Sequence, residues 1–193
     1  MAIRIAQDAA ADRVLTESPF ALLVGMLLDQ QFPMERAFAG PAKIQERFGS
    51  IEPAAVAAAE PEAFKALCST PPAVHRYPGS MAERVQELAR IVCDEYDGDA
   101  AKIWTEAQSG ADLMKRLQAL PGFGKQKAQI FTALVAKQLG VRPSGWEEVA
   151  GDYALDGYRS VADVVDAESL SKVREFKQAK KAAKKQTKAS AKK

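Results

Sequence analysis

The segment Leu120-Pro121-Gly122-Phe123-Gly124-Lys125-Gln126-Lys127-Ala128 carries the most chemistry in its spacing. A helix ends, two glycines permit positive φ, and a new helix begins at once. The backbone N–H groups of Gly122, Gly124 and the first turn of the new helix have no intrahelical acceptors. They can point together at an anion, and the helix dipole favours one there. Lys125 and Lys127 add positive charge, so a DNA phosphate is the natural guest. On the turn alone, an ordinary tight connection between helices is an equally open reading.

Asp29 closes an otherwise apolar run, just before Gln30 and Gln31. A carboxylate in that place is costly unless it reaches a cleft or is hydrogen-bonded. It reads either as an acid of a reaction pocket or as a helix-end residue at a bundle surface. His75 is the only histidine, which excludes a His-based cluster of zinc ligands within one chain. Cys68 and Cys93 are the only cysteines and show no C-x-x-C spacing. A disulfide framework, a zinc site and a four-cysteine iron–sulfur site are therefore not expected.

The elements that must position these residues read as helices almost throughout, so the fold class expected is all-α. Ser18-Pro19 looks like a cap and first-turn proline for a central helix from Phe20 to Gln31, apolar nearly all round. A second helix is expected over Met34–Phe48, disturbed at Gly40-Pro41, with shorter ones at Pro53–Ala59 and Pro61–Cys68. Ser80-Met81-Ala82-Glu83 has the form of a capping box for a helix bearing Val85, Leu88, Ala89, Val92 and Tyr96 on one face. Asp99 and Ser109 are candidate caps for helices ending near Ala107 and Ala119. Lys125–Leu139 follows the glycine turn, residues 141–159 are irregular, Ser160 caps a short turn, and Glu168 begins a last helix.

The chain has 193 residues and a formal charge of +2, which hides a split. Lys177 to Lys193 contains eight lysines and no acid. Setting these aside leaves 19 basic and 25 acidic groups in residues 1–176, a net of −6. The division expected is a folded domain over 1–176 and a lysine-rich, disordered tail over 177–193, the tail adding salt-sensitive affinity for phosphates. With 47% hydrophobic residues the chain can bury a core. No apolar run reaches the roughly 18 residues of a membrane span, and the N-terminus lacks a signal-like apolar stretch. A cytoplasmic monomer is expected.

The segment L-P-G-F-G-K-Q-K-A resembles the helix-hairpin-helix motif of the HhH-GPD superfamily of base-excision DNA glycosylases. Leu27-Leu28-Asp29-Gln30-Gln31 is similar to the end of that family's early central helix, which carries a gap-filling Gln. The progression from Phe48-Gly49 to Tyr77-Pro78-Gly79-Ser80-Met81-Ala82-Glu83-Arg84 looks like the helices before the hairpin. The resemblance covers about residues 18–142. It implies two helical lobes, a bundle over about 18–140 and a second lobe from both chain ends. It implies base flipping from double-stranded DNA carrying a damaged or mispaired base, with a carboxylate stabilising a cation-like sugar.

Carried over by residue, the resemblance makes Gly122, Phe123, Gly124, Lys125, Gln126 and Lys127 a DNA-binding hairpin. Gln31, or Gln30 one register away, would fill the vacated base stack. The carbonyls of Gln118, Leu120 and Phe123 would hold a monovalent cation, Na+ or K+. Gln126 stands where bifunctional members carry a lysine nucleophile, and an amide cannot form a Schiff base. Lys125 and Lys127 lie at other helical angles, so the activity expected is monofunctional and hydrolytic. Twenty residues past Gly124, where the family places its Asp, stands Ser144. Aligning on Gly140 instead brings Glu147, Glu148, Asp152 and Asp156 into range. Asp152 is favoured for its place beside Tyr153, Glu147 is the second choice, and Asp29 is a further acid. A surface-turn role for Asp152 stays equally open. The family's iron–sulfur loop is not expected, because no cysteine follows Cys93. The alternative function is a non-catalytic module that senses distorted DNA.

Overall fold

The computed structural model describes residues 2–190, with side chains through Ala183. Among the described residues there are α-helices and two 3₁₀ turns but no strand. Asp8 accepts the N–H of Ala11 and opens α1 (Ala9–Glu17), a helix not expected from the sequence. Its alanine-rich start offers few large apolar anchors.

Ser18 accepts the N–H of Ala21 at 3.1 Å, and Pro19 takes the first position of α2 (Pro19–Leu28). Every residue from Phe20 to Leu28 is buried, as an all-round apolar helix requires. The helix stops at Leu28, short of the expected Gln31. Asp29 leaves it at ψ 67 and Gln31 turns to φ 53. Continuing the helix would carry three polar side chains into the core, and Pro33 would then interrupt it. Gly25 admits the ring of Phe38 from α3 (Met34–Phe38); a Cβ there would lie 2.6 Å from Phe38 Cδ1.

The Gly40-Pro41 disturbance is a full break, so α4 (Gly40–Phe48) is separate from α3. Then α5 (Pro53–Ala58) and α6 (Pro61–Ser69) pack on α7 (Pro78–Tyr96). The expected capping box at Ser80 does not form. α7 starts at Pro78, three residues before the Met81 that a Ser80 cap would imply, and the Ser80 hydroxyl donates to the Tyr77 carbonyl at 3.3 Å. Proline is preorganised for the first helical position, which places Ser80 inside the first turn.

Next come α8 (Lys102–Thr105), shorter than expected, and α9 (Gly110–Gln118), capped by Ser109. α10 (Lys125–Gln138) packs on α9, on α11 (Trp146–Ala150), and on the 3₁₀ turns Gly151–Tyr153 and Val161–Asp163. The second 3₁₀ turn has a capping box between Ser160 and Asp163. Buried Gln138 donates to the carbonyls of Val161, Ala162 and Val164, and Lys137 pairs with Asp163 at 2.7 Å. These contacts fasten the irregular segment to α10.

The last helix, α12 (Ala167–Ser190), runs on through most of the stretch for which disorder was expected. No glycine or proline follows Gly157, and alanine and lysine are good helix formers. The N-terminal segment adjoins the start of α12, since Ala2 and Ile3 line one hollow with Asp166 and Ala167, and Arg174 of α12 pairs with Glu35 of α3 at 2.5 Å. No helix among the described residues is long and apolar enough to cross a membrane.

Candidate nucleic-acid interface and reaction cleft

The end of α2 and the start of α10 face one cleft, of about 630 Å³. Asp29, Gln30 and Gln31 line it from one side. Gly122, Gly124, Lys125, Gln126 and Lys127 line it from the other, and Lys177 of α12 enters it as well. Two segments about a hundred residues apart in sequence thus meet.

The hairpin glycines differ from each other. Gly122 has φ 75, and a Cβ there would meet Leu27 Cδ1 at 2.6 Å. It is glycine by conformation and by packing. Gly124 has φ −69 and ψ 172, open to any residue, and a Cβ there would meet nothing within 4 Å. The expectation of positive φ at both positions therefore holds only at Gly122. Gly124 caps α10, whose first-turn N–H groups at Lys125, Gln126 and Lys127 have no acceptor among the described residues. The Phe123 N–H is already committed to the Leu120 carbonyl at 3.2 Å. Its ring is buried edge-on against Phe131, so the Phe123 side chain is core rather than cleft surface.

Asp29 is the acid that lines the hairpin cleft. Its side chain is 14% exposed, and Lys177 Nζ lies 3.9 Å from its carboxylate. Burial raises its pKa above the ordinary carboxylate value, while Lys177 and Lys127 pull it back. Lys127 donates to the Leu27 carbonyl at 2.9 Å. Burial lowers the Lys127 pKa to about 8, against the opposing pull of Asp29.

The acids favoured from spacing lie elsewhere. Asp152 stands in the first 3₁₀ turn, 71% exposed, with Lys180 Nζ at 3.9 Å, outside the lining of the cleft. Glu147 is exposed in the first turn of α11, and Asp156 is exposed beyond the first 3₁₀ turn. Neither lines the cleft. Tyr153 does come near, because Gln126 Nε2 donates to its hydroxyl at 2.8 Å.

His75 has a positioning place that sequence reasoning missed. Its ring is buried, Nδ1 accepts the Tyr77 N–H at 2.9 Å, and Nε2 lies 2.9 Å from the Gln30 carbonyl. With Nδ1 accepting, Nε2 must carry the proton and donate to Gln30. The neutral ring thus braces the turn that presents Asp29 and the glutamines. Its pKa is lowered, chiefly by burial. Phe32 packs on the same ring at 4.8 Å between centroids, and Arg84 donates to Gln30 Oε1 at 3.3 Å. A contact over 45 residues of separation leaves no signature in a chain read linearly.

No group of three or more His, Cys, Asp or Glu side chains suited to a metal occurs among the described residues. Residues 24–193, from α2 to the C-terminus, match the family model described as HhH-GPD superfamily base excision DNA repair protein. Comparison with curated proteins and with solved structures gives no significant match. The match spans the glutamine turn, the glycine hairpin and both elements that place them in one cleft, and so the chain belongs to the HhH-GPD superfamily of base excision DNA repair proteins, whose substrate is DNA.

Proposed function

We propose that the protein is a monofunctional DNA glycosylase that flips a damaged or mispaired base from double-stranded DNA and removes it by hydrolysis. The observation that carries this reading is the cleft itself, where a largely buried carboxylate faces a hairpin of open backbone amides.

In this reading the N–H groups of Gly122, Gly124 and the first turn of α10 hold a phosphate beside the extruded nucleotide. Lys125 supplements them from the exposed side. Gln31 fills the vacated stack, with Gln30 held behind it by His75 and Arg84. Asp29, rather than Asp152 or Glu147, is the carboxylate. As an anion close to the sugar it stabilises the positive charge that develops when the N-glycosidic bond breaks, and it orients the attacking water. Its burial helps, because electrostatic stabilisation is worth more where water is excluded.

Gln126 supports a hydrolytic rather than a lysine-based step, since an amide forms no imine. A Na+ or K+ ion would be held by the carbonyls of Gln118, at the end of α9, and of Leu120 and Phe123 in the turn that follows, the Leu120 carbonyl using its second lone pair beside the Phe123 N–H. Such an ion would supply positive charge under the phosphate.

The test is release of free base from duplexes carrying damaged or mispaired bases, with alkali applied afterwards to cleave abasic sites. Base release with strand cleavage only after alkali is expected. Tight, lesion-selective binding with no release from any duplex would instead establish a non-catalytic sensor. Cleavage without alkali, trapped by borohydride, would contradict the monofunctional assignment.

A further inference from the structure

A smaller hollow of about 260 Å³ adjoins the reaction cleft and shares Gln126, Ile130 and Lys177 with it. Tyr153 and Phe176 supply its aromatic surface, and Arg159, Lys180 and Lys181 complete it. Four cations therefore line it, counting Lys177, and no carboxylate does. Two acids touch these cations from outside the lining: Asp152, 3.9 Å from Lys180, and Asp29 of the reaction cleft, 3.9 Å from Lys177.

The donor count is as uneven as the charge. The Tyr153 hydroxyl accepts from Gln126 at 2.8 Å, so its own hydrogen is available to donate. Lys180 lies 5.7 Å from the Tyr153 ring centroid and 5.9 Å from that of Phe176, while Arg159 lies 5.8 Å from Phe176. Two of the four cations, Lys180 and Arg159, are thus held against the aromatic rings. The side-chain acceptors are only the Gln126 amide oxygen and the remaining lone pair of the Tyr153 hydroxyl.

We infer that this hollow receives the flipped base and selects one rich in exocyclic oxygens, a deaminated or oxidised base, against a positively charged N-alkylated purine. The inference rests on the glycosylase reading for the presence of a flipped base. Its content comes from the lining: carbonyl oxygens meet donors and cations, whereas a cationic base meets four like charges and no carboxylate in the lining to offset its desolvation. Selection by matched donors and by repulsion against the wrong ligand is how such a pocket discriminates.

Two measurements test it. In single-turnover base release at saturating enzyme, the full-length protein is expected to favour duplexes with deoxyuridine or deoxyinosine over one with a methylated cationic purine. Lys180→Glu combined with Lys181→Glu should shift that ratio towards the methylated purine by about tenfold or more. Faster release of the methylated purine by the unmodified protein, or a ratio unmoved in the double variant, would overturn the inference while leaving the glycosylase reading intact. The second measurement is independent of turnover: Asp29→Asn protein should bind the carbonyl-rich duplexes more tightly than the methylated one. If that preference appears but the unmodified protein releases no base, the glycosylase reading fails and the pocket assignment stands. Equal binding to both classes contradicts the pocket assignment.

Discussion

Asp29 is held in its place at a cost. Burial raises its pKa, so at neutral pH its charged form opposes folding. A carboxyl with a raised folded-state pKa contributes stability at pH below the unfolded value, and that contribution fades as pH rises through the folded value. Asp29→Asn should therefore unfold at a temperature no lower than the unmodified protein at pH 7, by calorimetry, the pattern of a site where function opposes stability. The pH dependence of single-turnover base release follows from the same groups. Release should rise as Asp29 ionises, above the usual carboxylate range, and binding should weaken above about pH 8 as Lys127 loses its proton. A flat binding profile from about pH 7 to 9 would show that Lys127 contributes no charge to the complex. Gln31 holds φ 53 without being glycine, a conformation costing roughly 1–2 kcal/mol. Gln31→Gly should stabilise the fold by up to about 1 kcal/mol in urea unfolding while slowing release, because the stack-filling side chain is gone.

Among the elements, α2 and α10 were the most legible in the sequence, because physics leaves them few alternatives. Ser18-Pro19 followed by nine buried residues can be little else than a capped central helix. The hairpin was legible because a proline, two glycines and an immediate helix start leave a narrow range of backbone paths. The register of the acids was not. Spacing from Gly140 favoured Asp152, but the Gln138 and Lys137 contacts fold residues 155–164 back along α10, leaving Asp152 at the surface. Distances along an irregular segment do not translate into distances across a cleft. The buried, cleft-facing place of Asp29 was foreshadowed by a carboxylate ending an apolar helix; the brace from His75 was not, since only tertiary structure brings a proline-flanked loop to the α2 end. At this scale the hairpin permits a clean separation of fold from function. Gly124→Ala, with its relaxed φ and open surroundings, should leave the melting temperature within about 2 °C. It should still weaken DNA binding, because the methyl group intrudes where a phosphate backbone must approach.

For the whole molecule, the net charge of +2 describes neither part of the chain. In the proposed function the acidic body binds DNA through local features, while α12 carries cations from the cleft outward, beginning with Lys177 beside Asp29 and continuing to Lys180 and Lys181. The basic C-terminal stretch is thus partly cleft wall rather than wholly a separate tether. Removing residues 184–193 should reduce the dependence of DNA affinity on salt, by up to about 0.9 in the logarithmic slope for each phosphate that those lysines neutralise, without slowing release at saturating enzyme. An unchanged slope would assign those lysines no part in binding. The most direct test of the function is a comparison of Asp29→Asn with Asp152→Asn in single-turnover base release, both at saturating enzyme and on the same lesion duplex. Asp29→Asn should lose release by about a hundredfold or more with DNA affinity retained, and Asp152→Asn should stay close to the unmodified rate. Full release by Asp29→Asn, or its loss in Asp152→Asn alone, would contradict the assignment of the cleft carboxylate.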